Sequence, residues 1–161
     1  MKTSVKHLFI VICAAILIFP FSVGDAAISS DQVALETITL KSSMDDVFRV
    51  FGQPQYVENE TTYCWGRNSL KIYTWSPARG KTNHPTHIVC AENNGFETPA
   101  GVIVGMPDTV LNTTYGEADR VVDSDRNGNT VYCYSSKGGD WLVFRVKNGV
   151  IRVIELMDNF S

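Results

Sequence analysis

The chain has little charge, few cysteines and no surplus of cations. Only 19% of its 161 residues are charged, and 14 Lys and Arg stand against 17 Asp and Glu, for a formal net charge of −3. Nucleic-acid binders need clustered Lys and Arg to neutralise phosphates, so this balance leaves no electrostatic footprint for that class of partner. The cysteines number four. One of them, Cys13, falls in an N-terminal apolar run, and the other three, Cys64, Cys90 and Cys133, are an odd set in which at least one thiol must be free or intermolecular. No apolar run reaches the length of a comfortable membrane span. Nor does any grouping of residues form a recognisable catalytic site, which argues against an enzyme.

What is present begins with a leader. Lys2 and Lys6 precede an apolar run from Leu8 to Phe21, which gives way to Gly24 and Ala26. This is the pattern of a secretory signal peptide over residues 1–26, with cleavage after Ala26. Cys13 sits between Ile and Ala in mid-run, outside the context that lipid attachment needs. The mature chain, without Lys2, Lys6 and Asp25, carries a net charge of −4. We expect a bacterial, secreted or periplasmic protein with no stable membrane insertion after cleavage. The sequons at Asn59, Asn112 and Asn159 would be idle in such a host.

Two stretches of the mature chain echo each other. "ITLKSSMDDVFRVFGQP" (38–54) aligns with "VIVGMPDTVLNTTYGEA" (102–118) with one gap, and "TTYCWG" (61–66) with "TVYCYS" (130–135). In the first copy Ser43 is a helix cap with Asp45 and Asp46 in the opening turn, and Val47, Val50 and Phe51 form an apolar stripe. In the second, Pro107 and Asp108 open the helix, and Val110, Leu111, Thr114 and Tyr115 form the stripe. Gly52 and Gly116 stand where a helix ends with positive φ. Strands are expected over 61–66, 70–75 and 86–92, and again over 130–135, 141–146 and 150–156. The expected fold class is therefore α+β: two tandem units, 27–98 and 99–161, each a helix followed by an antiparallel meander.

Asn148-Gly149 marks a two-residue hairpin turn. Its register sets Val146 opposite Ile151, Arg145 opposite Arg152, Phe144 opposite Val153 and Val143 opposite Ile154. One face then carries Leu142, Phe144, Val146, Ile151 and Val153; the other carries Trp141, Val143, Arg145, Arg152, Ile154 and Leu156. In the first copy Tyr63 and Trp65 share a face with Leu70 and Ile72, and Cys64 lies opposite with Lys71, Tyr73 and Trp75. In the second, a three-residue "KGG" loop would put Tyr132 and Tyr134 with Leu142 and Phe144. A sheet covered on one side alternates apolar and polar residues, and both faces here are rich in apolar residues. Tyr and Trp anchor protein interfaces. The candidate binding residues are Lys71, Tyr73, Trp75, Trp141, Val143, Arg145 and Arg152, against the plainer reading that this face is internal packing.

Other groupings carry less. His84, His87, Cys90 and Cys64 could be a zinc set or a Cys-His nucleophile pair, yet residues 87 and 90 point to opposite faces of a strand. "DSDRNG" (123–128) copies the first half of a calcium loop, but the closing glutamate position holds Tyr134. "SPARGKTNHP" (76–85) exceeds the minimum for a turn and carries Arg79 and Lys81. No metal or cofactor is expected.

The duplicated unit behind a signal peptide, with "GMPDTVLNTTYGEADRV" and the closing "WLVFRVKNGVIRVIEL", resembles the β-lactamase-inhibitor-protein-like fold. It also resembles the single-unit SmpA/OmlA group, the outer-membrane assembly lipoprotein E family. That resemblance implies a non-enzymatic binding module gripping a protein partner with an aromatic-rich sheet face, to which residues 71–75 and 141–145 would contribute. The partner would be another envelope or secreted protein. The alternatives are a small-ligand or lipid carrier and, less favoured, a Cys/His-dependent enzyme.

Overall fold

A computed structural model describes residues 27–159, so the signal-peptide reading of residues 1–26 lies outside the described residues. Helix α1 (Met44–Phe51) forms where Ser43 caps it. The Ser43 hydroxyl accepts from the Asp46 amide, and the Asp46 carboxylate accepts from the Ser43 amide, a reciprocal capping box. The helix stops at Gly52, whose φ of 76° suits glycine. Strands β1 (Tyr56–Glu58), β2 (Thr62–Trp65), β3 (Leu70–Tyr73), β4 (Trp75–Ser76), β5 (Gly80–Lys81) and β6 (His87–Cys90) follow. Helix α2 (Thr109–Tyr115) then leads to β7 (Arg120–Val122), β8 (Thr130–Ser135), β9 (Trp141–Lys147) and β10 (Val150–Met157).

Eight of these strands form one sheet in the order β1-β2-β3-β6-β10-β9-β8-β7, antiparallel throughout. The fold is thus of mixed α+β class, with a large antiparallel sheet and, among the described residues, two α-helices. β4 and β5 make a separate small hairpin from the long loop at 76–85. One face of the sheet carries the core: Trp65, Leu70, Ile72, Ile88, Tyr134, Leu142, Phe144, Ile151, Ile154 and Leu156 pack with Val47 of α1 and Leu111 of α2. The segment before α1 adds Ile28, Val33, Leu35, Ile38 and Leu40 to that cluster. Among the described residues no helix is long and apolar enough to cross a membrane.

In both helices one stripe position differs from expectation. Val50 is exposed, and Met44 and Phe48 pack against the core in its place; Thr114 is likewise exposed. The expected faces of β2 and β3 are observed, with Tyr63 paired to Ile72, Trp65 to Leu70 and Cys64 to Lys71. In β8 and β9, Tyr132 pairs with Phe144 and Tyr134 with Leu142, as the glycine-bulge loop requires.

The β9–β10 hairpin departs from the simple count. Val146 pairs with Ile151, but a bulge follows, so that Val153 pairs with Arg145, Ile154 with Phe144, Glu155 with Val143 and Leu156 with Leu142. Val153 and Ile154 therefore exchange faces relative to expectation, and Leu156 joins the core. Arg152 is exposed in the bulge and does not face Arg145. The physical reason is Glu155. A regular register after Ile151 would drive its carboxylate into the apolar core, at a cost of several kcal/mol without partners; one extra residue turns it to the other face.

Candidate functional site

The face of the sheet away from the helices is the candidate site. Paired residues share a face, so the registers define rows across it. One row runs Thr62, Tyr73, His87, Met157, Trp141 and Ser135. The next runs Cys64, Lys71, Val89, Glu155, Val143, Cys133 and Arg120. Five of the seven candidate residues, Lys71, Tyr73, Trp141, Val143 and Arg145, lie on this face. Trp75 leaves the main sheet in β4 and is 51% exposed. Arg152 stands apart in the bulge.

The geometry is more polar at the centre than expected. Tyr73 stacks on His87, ring centroids 5.2 Å apart at 21°. His87 Nε2 lies 3.2 Å from Glu155 Oε2. Arg145 donates through Nε to Glu155 Oε1 and through a terminal nitrogen, at 2.8 Å, to Asp125 Oδ2. Burial pushes the Glu155 carboxyl up, and the bonds from His87 and Arg145 more than offset it, leaving its pKa below the ordinary range. Asn129 donors, then the Asn127 amide and Arg145, hold Asp125 well below its usual value. The bond to Glu155 raises Arg145. These four residues lock the middle of the face into one arrangement.

Around that lock the surface is apolar and partly open. Trp141 donates from Nε1 to Asn159 Oδ1 at 2.9 Å, and a hollow of about 210 Å³ beside it is lined by Arg120, Cys133, Trp141, Val143 and Met157. Val143 is buried among its neighbours. Lys71 reaches Glu58 at 3.7 Å.

The zinc or nucleophile set is not brought together. Cys90 faces the core, with its thiol pushed up by burial and near Asn94 Oδ1, whereas Cys64 and His87 lie on the open face, in different rows and two strands apart. His84 sits in the lead to β6 with Nδ1 3.0 Å from the Pro85 carbonyl. Asp125 of the calcium-like loop spends both carboxylate oxygens on Asn127, Asn129 and Arg145. Sequence reasoning missed His87, Glu155, Asp125 and Met157 as members of this face. His87 and Glu155 are 68 positions apart, and only the β6–β10 pairing joins them.

No family model matches the chain, and no curated protein matches it either. Among solved structures it is similar to a DUF4309 family protein, YjgB, of Bacillus subtilis, at 17% identity and a TM-score of 0.49, over 76% of this chain and 82% of that one. It is also similar to an extracellular protein containing a SCP domain from Bacillus anthracis, at 8% identity and a TM-score of 0.50, over 73% of this chain. The match spans 43% of that longer chain. Identities this low speak to fold alone.

Proposed function

We propose that the chain is a secreted or periplasmic, non-enzymatic module that binds another protein through the open sheet face, centred on Tyr73, Trp141 and the Glu155 cluster, with Trp75 at its margin. The observation that carries the reading is the asymmetry of the sheet: the helices and core cluster occupy one face. The other presents Tyr73, His87, Met157 and Trp141 in a single half-buried row. Large amphipathic side chains around a desolvated charge cluster have the composition of an interface centre.

Within this reading the chain is two tandem units, 27–98 and 99–161, of the kind found in the β-lactamase-inhibitor-protein-like fold. The strand order supports it, since β1-β2-β3-β6 read inward from one edge as β7-β8-β9-β10 do from the other. So do Trp65 and Tyr134, the second aromatics of the echoed strands, which donate to the carbonyls of Gly52 and Gly116, at 3.2 and 3.5 Å. A second reading, a carrier of small apolar ligands, rests on the hollow beside Trp141. Its 210 Å³ lies below the size of most ligand pockets.

The test is capture from the producing organism's envelope and culture fluid by the wild type and by Trp75→Ala/Trp141→Ala. The proposal expects a specific protein retained by the wild type and lost by the variant, with the variant still folded. A variant that unfolds as core truncations do, losing about 3–5 kcal/mol per residue, would make the face internal packing and sink the idea.

A further inference from the structure

Helices α1 and α2 end alike but do not fill the same space. Counted from the glycines that end them, Phe48 in α1 and Asn112 in α2 hold the same position, four residues before Gly52 and Gly116. Five residues after each glycine comes the middle of an edge strand, Val57 in β1 and Val121 in β7, paired to Tyr63 and Tyr132. In the first half Phe48 packs against Tyr63 with ring centroids 5.7 Å apart. In the second half the shorter, polar Asn112 stands in that place. A cleft of about 330 Å³ is present there, lined by Leu111, Asn112, Gly116, Ala118, Val121, Tyr132 and Tyr134.

Three features of this cleft point to one kind of occupant. Its outer wall is β7, the last strand of the sheet, so among the described residues one side of the β7 backbone has no strand partner. Val121 on that strand is 48% exposed, an apolar wall left in water. The cleft is also lined by Asp108 and Glu117, and among the described residues neither carboxylate forms an ion pair.

We infer that this edge is a second docking site, which takes an extended peptide segment by strand addition to β7. An apolar side chain of the segment enters the cleft that Asn112 leaves open, and a Lys or Arg two residues away, on the same face of the segment, meets Asp108 and Glu117. Strand addition supplies affinity through main-chain bonds and specificity through pockets for alternate side chains, and a free edge next to a pocket provides both. A three-residue edge strand limits the main-chain contribution, so the apolar side chain carries much of the discrimination. The site uses the core-side margin of the sheet and shares with the open face only Arg120, whose backbone belongs to β7 and whose side chain lines the hollow beside Trp141. Its failure therefore leaves the open-face reading untouched.

The experiment uses the mature chain and acetylated six-residue peptides Ser-Lys-Ser-X-Ser-Lys, in which X is Val, Leu, Phe or Trp and shares a face with both lysines, read by fluorescence polarisation and by amide hydrogen exchange. Saturable binding is expected from at least one peptide, with slowed exchange at Arg120–Val122. Asn112→Phe, which fills the cleft as Phe48 does in the first half, should weaken binding at least tenfold. Val121→Ser should do the same without touching the buried core, and serves if the first variant fails to fold. No binding by any of the four peptides, binding indifferent to both variants, or N-acetyl-phenylalanine amide binding as tightly as the peptides would each overturn the inference.

Discussion

Glu155 is the residue on which the open face turns. Its side chain is almost wholly buried, and it is held by Arg145 on one side and His87 on the other. Removing one partner of a buried ion pair leaves the other charge uncompensated, which costs about 3–5 kcal/mol. Arg145→Met is expected to lose stability of that order in urea denaturation, more than either an Arg152→Ala or a Trp75→Ala change in the exposed bulge or margin. The pH dependence follows from the lowered pKa of Glu155. The unfolded carboxyl binds protons more readily than the folded one, so its contribution is complete above the unfolded value of about 4.3. That contribution is lost as pH falls through the lower folded value. Asp125 acts in the same direction. Chemical denaturation between about pH 2 and pH 6 should show stability rising with pH, and Glu155→Gln should flatten that rise.

At the scale of elements, the bulge after Ile151 decides which residues meet the core. Deleting Arg152 would remove the extra residue and leave a regular ladder in which Val153, Ile154 and Glu155 keep their observed partners Arg145, Phe144 and Val143. We expect the deletion, like Arg152→Gly, to retain a two-state transition in urea by circular dichroism; loss of cooperative unfolding on deletion alone would contradict this pairing. The Ser43 cap is a smaller matter, with Ser43→Ala expected to cost about 1 kcal/mol. Features that depend on near neighbours could be read ahead of the structure. The Ser43 cap needs only a hydroxyl, an acidic turn and the helical spacing of Val47. The Asn148-Gly149 turn needs only two residues with positive φ, observed at 54° and 70°. The bulge was hidden because alternation alone fits two registers, and only the burial cost of Glu155 selects between them. Edge strands β1 and β7 were missed because three residues, two of them exposed, are too few to carry a period.

At the scale of the whole molecule, the seam between β6 and β10 makes one sheet of the chain. It carries His87 to Glu155, a meeting that no local pattern encodes. The same strand order separates the thiols. Cys64 in β2 and Cys133 in β8 lie on the open face five strands apart, and Cys90 points into the core. A disulfide needs Cα atoms within about 7 Å, so non-reducing mass mapping should find no bridge among these three; a Cys64–Cys90 link would contradict the register of β2 and β3. The central claim is that the open face is a surface for a protein partner. Oxidative footprinting of Tyr73, Trp75, Trp141 and Met157, in the free protein and in the complex with its captured partner, tests it most directly. All four are expected to be oxidised in the free protein, with Tyr73, Trp141 and Met157 shielded in the complex. Labelling that is unchanged by the partner, or already absent in the free protein, would contradict it.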